Sequence, residues 1–198
     1  MLIKKITRIN RKQEVFVLFF DPIPFLRLKT PFIVRAFHWN ALAACGIAVR
    51  EATNSDDSFL RTLYRSIREP ERAWVPWSDD EWGRFVDLQF QARSASYSHQ
   101  FPELLRYILE TDGNPRESIW IHETPQELRL VDLALLPEVR NQGIGTAALK
   151  DIQSDATKRS RPVVLHVYSD NPALRLYQRM GFSTVRQSDG RNEMRWQP

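Results

Sequence analysis

Two glycines stand where a buried strand is predicted to be followed by a helix. They belong to the run Arg140-Asn141-Gln142-Gly143-Ile144-Gly145. Glycine allows positive φ and a close approach of the backbone to a ligand. Successive N–H groups there, with a helix N-terminus behind them, would form a cradle for a phosphate or pyrophosphate. The run lacks the Gly-Lys-Ser/Thr ending of a Walker loop and the third glycine of a dinucleotide fingerprint. Taken alone it also fits an ordinary tight turn.

A second motif follows the next predicted strand. It is the segment Asn171-Pro172-Ala173-Leu174-Arg175-Leu176-Tyr177-Gln178-Arg179-Met180-Gly181-Phe182. Taken in this order, Arg-x-x-Gly-x-Gly and Asn-x-Ala-x-x-Leu-Tyr-x-x-x-Gly-Phe resemble the GNAT family of N-acetyltransferases. The resemblance covers about residues 47–198.

The resemblance implies acetyl-CoA as the co-substrate. Its pantetheine would lie like an extra strand beside Leu133, Ala134 and Leu135, as peptides add to a sheet edge. This requires the strands at 127–136 and 163–168 to diverge. Its pyrophosphate would bind the loop and first helical turn, which comprise Arg140, Asn141, Gln142, Gly143, Ile144, Gly145 and Thr146.

Two residues of this set have alternative interpretations. The family often has glycine where Asn141 stands, and asparagine also tolerates the left-handed conformation. Asn171 matches a position that contacts the cofactor, although it is also a good helix N-cap.

Tyr177 matches the usual general acid of the family. When an amine attacks the thioester, a CoA thiolate leaves, and a phenol with a pKa near 10 can give it a proton or a hydrogen bond. The resemblance also implies that a backbone N–H near Leu135 polarises the thioester carbonyl. The alternative for Tyr177 is a tyrosine packed beside Leu176 between helix and sheet.

The attacking amine must be neutral, so a base or a water path is needed. His166 is the first candidate, because histidine suits proton removal near neutral pH and some family members carry a catalytic residue on this strand. A histidine hydrogen-bonded at the sheet surface is an equally good interpretation. Asp132 and Glu123 are the second candidates, although lone strand carboxylates are more often ion-pair partners.

The elements that must position these residues can be followed from residue 47. Periodicity, caps and turn residues predict an α/β fold of the α+β mixed-sheet type. The predicted order is β-α-α-β-β-β-α-β-α-β-β, which is also the order of the GNAT-like acyl-CoA N-acyltransferase fold. Asp112-Gly113 predicts a hairpin turn, and Ser78 with Glu81 predicts a capping box.

Residues 1–46 differ from the rest of the chain in charge. They hold eight Lys or Arg and two Asp or Glu, so their net charge is +6 although the whole chain has +4. They show no persistent apolar period, and no run approaches the roughly 20 apolar residues of a membrane-spanning helix. We therefore predict two parts: a basic, aromatic-rich N-terminal extension at 1–46 that is poorly ordered, and an acetyltransferase domain at 47–198.

The sequence thus predicts an N-acetyltransferase that transfers acetyl from acetyl-CoA to a primary amine by direct attack. The acceptor stays open between a small molecule and a protein amine. A non-catalytic acyl-CoA-binding module with the same fold is the alternative. A third hypothesis is a nucleic-acid or membrane-surface protein acting through the basic segment, but neither partner is expected, because the domain itself is slightly acidic.

The cysteine and histidine content limits the disulfides and metal sites that the chain can form. The single cysteine, Cys45, excludes an intrachain disulfide and favours a reducing, cytoplasmic location. The four histidines show no ligand spacing, so no metal is expected. Homodimers are common in the family, and that option stays open.

Overall fold

The computed structural model describes residues 36–198, in which five helices and seven strands are found. The helices are α1 (Asn40–Ala44), α2 (Asp57–Arg68), α3 (Asp79–Gln100), α4 (Ile144–Lys158) and α5 (Leu174–Arg179). The strands are β1 (Ala48–Glu51), β2 (Leu105–Thr111), β3 (Asn114–Glu123), β4 (Leu128–Leu135), β5 (Val163–Tyr168), β6 (Ser183–Ser188) and β7 (Arg191–Trp196). From β1 onward this is the order predicted from the sequence, and the mixed α/β class is confirmed.

All seven strands belong to one mixed sheet in the order β1-β2-β3-β4-β5-β7-β6. Neighbouring strands are antiparallel, except for β4 and β5, which run parallel. Asp112 and Gly113 join β2 to β3 with φ values of 51° and 72°. Positive φ at both positions is what a tight two-residue hairpin needs, so the predicted turn is confirmed.

Helices cover both faces of the sheet. One apolar cluster holds α1, α4 and α5 against the strands, with Leu42, Leu149 and Tyr177 among its buried members. The other holds α2 and α3, with Leu60 and Trp82 among its buried members. We call these two sides the α4 face and the α3 face. α3 begins in the predicted capping box.

Residues 36–46 correct the predicted domain boundary. The sequence assigns them to a poorly ordered extension, but Leu42 is completely buried on the α4 face. The Asp151 carboxylate accepts hydrogen bonds from the backbone N–H groups of Ala41 and Leu42 at 2.8 and 3.0 Å. Asp155 accepts one from the N–H of His38 at 2.7 Å. Periodicity missed this segment because its partners lie on α4, far along the chain. The rest of the predicted extension, residues 1–35, lies outside the described residues.

Within residues 36–198, no helix is both long and apolar enough to cross a lipid bilayer.

Candidate active site

The sheet opens between its two central strands. β4 and β5 pair only where residues 128–130 meet residues 163–165. Beyond these residues β4 continues to Leu135 and β5 to Tyr168 without further pairing to each other. The strand ends therefore diverge and leave the β4–β5 gap, which is the divergence that a strand-like pantetheine requires.

A bulge at Val131 determines what β4 presents to this gap. On the β3 side, Ile121 pairs with Leu130 and Trp120 pairs with Asp132, so Val131 has no partner of its own. A bulge of this kind lets two successive side chains project to the same face. Val131 packs in the cluster of the α3 face, and Asp132 contacts a side chain of α3. The bulge thus brings a carboxylate to the α3 face beside the gap.

Beyond the bulge, backbone groups of β4 face the gap. Leu136 donates its N–H to the carbonyl of Arg116 on the β3 side at 3.1 Å. Because backbone groups point alternately to the two sides of a strand, those of Leu133 and Leu135 point away from β3. Ala134, which the resemblance includes in the pantetheine site, presents its backbone to β3 instead.

The loop after β4 and the first turn of α4 have the geometry of an anion cradle. Asn141 and Gly143 adopt left-handed conformations with φ of 61° and 85°. No side chain caps α4, and its first turn contains no acidic residue. Within residues 36–198, the backbone N–H groups of Ile144, Gly145 and Thr146 have no hydrogen-bond acceptor. These donors at a helix N-terminus are therefore available to an anion.

Two side chains stabilise the loop itself. Arg140 donates from Nε to the Leu135 carbonyl at 3.1 Å. Gln142 donates from Nε2 to the Glu138 carbonyl at 2.8 Å. These bonds tie the loop to the end of β4 and fix the direction in which its backbone N–H groups point.

Gly145 brings α5 against this cradle. A β-carbon at this position would lie 3.1 Å from Cδ2 of Leu176 on α5, which is closer than ordinary van der Waals contact. Glycine therefore lets α5 pack on the first turn of α4. The residue after Leu176 is Tyr177, so one packing contact positions both the cradle and the predicted acid.

Tyr177 lies within the α4 face. It is 7% exposed, and its ring meets that of Phe182 edge to face with centroids 5.9 Å apart. Burial raises the pKa of its phenol, and the negative charge of Asp132 raises it further. No side-chain hydrogen bond of Tyr177 is found among the described residues. The phenol is thus protonated at neutral pH, and none of the described residues accepts its proton in a hydrogen bond.

Asp132 lies in a cluster of arginine and aromatic side chains. Its Oδ1 is 2.6 Å from Nη2 of Arg93 on α3. The Arg93 guanidinium in turn lies 5.1 to 5.4 Å from the ring centroids of Tyr64, Tyr97 and Trp120. Cation–π contacts and the ion pair together hold Arg93 in place. The positive charge of its guanidinium compensates the negative charge of Asp132.

His166 projects from β5 toward the α3 face, because its neighbours Leu165 and Val167 are buried on the α4 face. Its Nδ1 lies 3.1 Å from Nη1 of Arg129, and its Nε2 lies 3.8 Å from Glu193. Burial lowers the pKa of this imidazole, and the charge of Arg129 lowers it further. Since arginine can only donate, the lone pair of Nδ1 is already engaged. The predicted base therefore lies beside the gap with its basic nitrogen occupied.

Two other candidate residues, Glu123 and Asn171, already make hydrogen bonds within the protein. Glu123 lies at the end of β3 that adjoins the start of β4, away from the gap. It accepts hydrogen bonds from Arg159 and Arg161 at 2.6 and 2.7 Å. Asn171 follows β5, and its Oδ1 accepts the N–H of Ala173 at 2.9 Å in an Asx turn; Ala173, and not Asn171, is the N-cap of α5.

A metal site is one further kind of chemistry that clustered polar side chains could support. In the part of the chain from residue 36 onward, no three His, Cys, Asp or Glu side chains gather as a metal-binding group.

Comparison with known proteins decides the family. The pattern of the acetyltransferase (GNAT) family matches residues 58–182. The match includes α3, the β4–β5 gap, the cradle and Tyr177. The chain belongs to the GNAT family. No curated protein matches the sequence significantly.

Solved GNAT structures have the same fold. The PaiA N-acetyltransferase from Thermoplasma acidophilum, in complex with coenzyme A, is 17% identical with a TM-score of 0.61 and covers 77% of this chain and 99% of that chain. A GNAT family acetyltransferase from Elizabethkingia anophelis with acetyl-CoA bound is 15% identical with a TM-score of 0.52, covering 77% and 99%. The ribosomal-protein-S18-alanine N-acetyltransferase from Escherichia coli is 20% identical with a TM-score of 0.50, covering 75% and 90%. Identities this low show a shared fold.

Sequence reasoning missed part of the site of this GNAT protein. The cluster around Asp132 depends on Arg93 and Tyr97, which are four residues apart on one side of α3. That spacing was the available signal, but nothing in it indicates which strand the helix covers. The bulge at Val131 was equally hidden, because it follows from the pairing with β3.

Proposed function

We propose that this protein transfers an acetyl group from acetyl-CoA to a primary amine by direct attack. The observation that carries the proposal is the β4–β5 gap, which leads to the uncapped first turn of α4. A strand-like pantetheine fits the gap, because backbone groups of Leu133 and Leu135 face it. A pyrophosphate fits the free N–H groups of the helix N-terminus. The two GNAT structures that hold coenzyme A or acetyl-CoA support this choice of co-substrate.

The reaction needs a polarised carbonyl and a stabilised leaving group. With the thioester in the gap, an N–H of Leu133 or Leu135 would donate to its carbonyl oxygen, where negative charge develops. The amine nitrogen forms the new C–N bond and the C–S bond breaks. One proton leaves the amine and one proton reaches the CoA sulfur, so the products are an amide and free CoA.

Tyr177 is the group that we propose for the second proton. A thiolate is a strong enough base to take a hydrogen bond or proton from a phenol, and a tyrosine phenol keeps its proton at neutral pH. Burial raises the pKa of this phenol, which favours the hydrogen bond to the thiolate over complete loss of the proton. The contact between Leu176 and Gly145 supports this role, since it places the helix of Tyr177 next to the cradle.

The proton from the amine has two candidate acceptors. Asp132 lies beside the gap and close enough to Tyr177 for its charge to raise the phenol pKa. His166 lies on the same face of the sheet, but the guanidinium of Arg129 would have to leave its Nδ1 before that nitrogen could accept a proton. The proposal therefore places Asp132 first, acting directly or through water, and His166 second.

The test measures CoA thiol release from acetyl-CoA over a panel of primary amines. Tyr177→Phe should lower kcat by about 100-fold or more, because general acid catalysis contributes on that scale. Tyr107→Phe is the matched control, since Tyr107 is also a buried tyrosine but lies on β2, away from the gap. Turnover of Tyr177→Phe that equals wild type at every pH would remove Tyr177 from the acid role. Acetyl-CoA binding without thiol release for any amine would support the non-catalytic alternative.

A further inference from the structure

Three arginines project from the last part of the sheet toward the α3 face. On β7, Met194 and Trp196 pack on the α4 face, so Arg191 and Arg195 project to the opposite side. On β6, Arg186 pairs with Glu193 of β7 and shares its side of the sheet. We call Arg186, Arg191 and Arg195 the arginine face.

Positive charge on this surface exceeds negative charge. Glu193 is the one acidic residue that β5, β6 and β7 contribute to it. Within residues 36–198, neither Arg186 nor Arg195 has a carboxylate within salt-bridge distance, whereas Arg93 and Arg129 elsewhere on the α3 face are both paired. All residues of β6 are exposed to solvent. The surface is therefore basic, incompletely compensated and open.

The arginine face adjoins the β4–β5 gap. Arg191 donates to the Tyr168 hydroxyl at 2.6 Å, and Tyr168 ends β5 on the open side of the gap. The charges of both Asp132 and Arg191 act on the phenol of Tyr97, so α3 borders the gap and the arginine face at once. A molecule whose amine reaches Asp132 would therefore have its other end beside Arg191, with Arg186 one strand farther out and Arg195 four residues farther along β7.

We infer that the acceptor is an amine that also carries a carboxylate or phosphate, and that the arginine face binds this anionic group. The inference rests on the proposed function, since it names the class of acceptor for the same reaction. Guanidinium groups suit carboxylate and phosphate oxygens, because their planar N–H donors form charge-assisted and often bidentate hydrogen bonds. Arg93 and Asp132 neutralise each other, whereas Arg186 and Arg195 have no carboxylate within salt-bridge distance among residues 36–198.

The test compares amines that differ only in the anionic group. Phenylalanine is paired with phenethylamine, lysine with cadaverine, and 2-aminoethylphosphonate with ethylamine, and kcat/KM is measured from CoA thiol release. The anionic member of at least one pair should be favoured about tenfold or more, since a hydrogen bond to a charged group contributes on that scale. The carboxylate and phosphonate pairs show which anion is preferred.

Variants assign the preference to the arginine face. Arg186→Gln and Arg195→Gln should each lower the ratio of kcat/KM between the anionic and neutral members by about tenfold, mainly through KM. Arg84→Gln is the control, because Arg84 is an exposed arginine on α3 outside the arginine face, and it should leave the ratio unchanged.

Three results would overturn the inference, and each can be told from the others. Equal acetylation of both members in every pair would leave the proposed function intact and exclude an anion-bearing acceptor. A ratio that Arg186→Gln and Arg195→Gln leave as it is in wild type would show that the arginine face does not bind the anionic group. Failure to release CoA with any amine, despite binding of acetyl-CoA, would overturn the proposed function and this inference with it.

Discussion

Leu176 lies 3.1 Å from the position that a β-carbon on Gly145 would occupy. Through this contact, the helix that carries the proposed acid packs directly on the turn proposed to hold the pyrophosphate. The proposed pyrophosphate turn and the position of Tyr177 are thus linked by one packing contact.

Gly145→Ala should lower kcat/KM for acetyl-CoA by about tenfold, because displacing α5 misplaces Tyr177 and overpacking costs on the order of 1–3 kcal/mol. Leu176→Ala in the same chain should restore part of the loss, since it makes room for the new methyl group. Gly83→Ala on α3 is the control, because its β-carbon would meet Arg65 only at 3.7 Å. Independent, additive effects of the two substitutions on kcat/KM would show that the contact does not couple the two elements.

Leu42→Ala should destabilise the full chain by about 2–5 kcal/mol, because it empties a completely buried site on the α4 face. Leu88→Ala makes the same chemical change at a residue that is 64% exposed, and its effect should stay within about 0.5 kcal/mol. Urea unfolding measures both free energies. Equal stability of the two variants would mean that residues 36–46 do not pack on the domain as described.

The contrast between residues 36–46 and the rest of the fold shows what the sequence could predict. Elements with local signals were predicted, such as β5 at 163–168, the capping box of Ser78 and Glu81, and the Asp112-Gly113 turn. α1 was not, because it is five residues long and the N–H groups of Ala41 and Leu42 in its first turn donate to Asp151 on another helix. Long-range partners of this kind leave no local pattern.

The same distinction applies to the candidate site. The cradle and Tyr177 lie in short contiguous motifs, so residue types and spacing were enough to propose them. His166 was proposed from its residue type and strand position, but the hydrogen bond from Arg129 depends on the register of β4 against β5. The pairing of Asp132 with Arg93 depends likewise on how α3 lies across the sheet.

Glu117 should make the fold less stable as pH rises. It is 1% exposed, neither carboxylate oxygen has a hydrogen-bond partner within the described chain, and burial raises its pKa to about 8. The folded state therefore binds this proton more tightly than the unfolded state, in which the pKa is near 4.5. Between these two pH values, wild type should lose about 1.4 kcal/mol per pH unit relative to Glu117→Gln. Urea unfolding of both proteins from pH 5 to pH 9 measures the difference, and parallel stability curves would contradict it.

Asp132→Asn, more than His166→Gln, should reduce the rise of kcat/KM with pH on the acid side of the profile. The reason is that Nδ1 of His166 already accepts a hydrogen bond from Arg129, whereas Asp132 lies beside the gap. Because Asp132→Asn leaves the Arg93 charge without its partner, thermal unfolding of both variants must accompany the kinetics. If His166→Gln flattens the acid limb and Asp132→Asn preserves it, His166 is the base.

The central claim is that acetyl passes from acetyl-CoA to an amine at the β4–β5 gap. The most direct measurement uses acetyl-CoA labelled with carbon-13 in the acetyl group, incubated with the protein and the amine panel, followed by mass spectrometry of the products. We expect at least one amine to gain a single labelled acetyl group, with one free CoA formed per acetylated product. Bound acetyl-CoA that stays intact with every amine would contradict the claim.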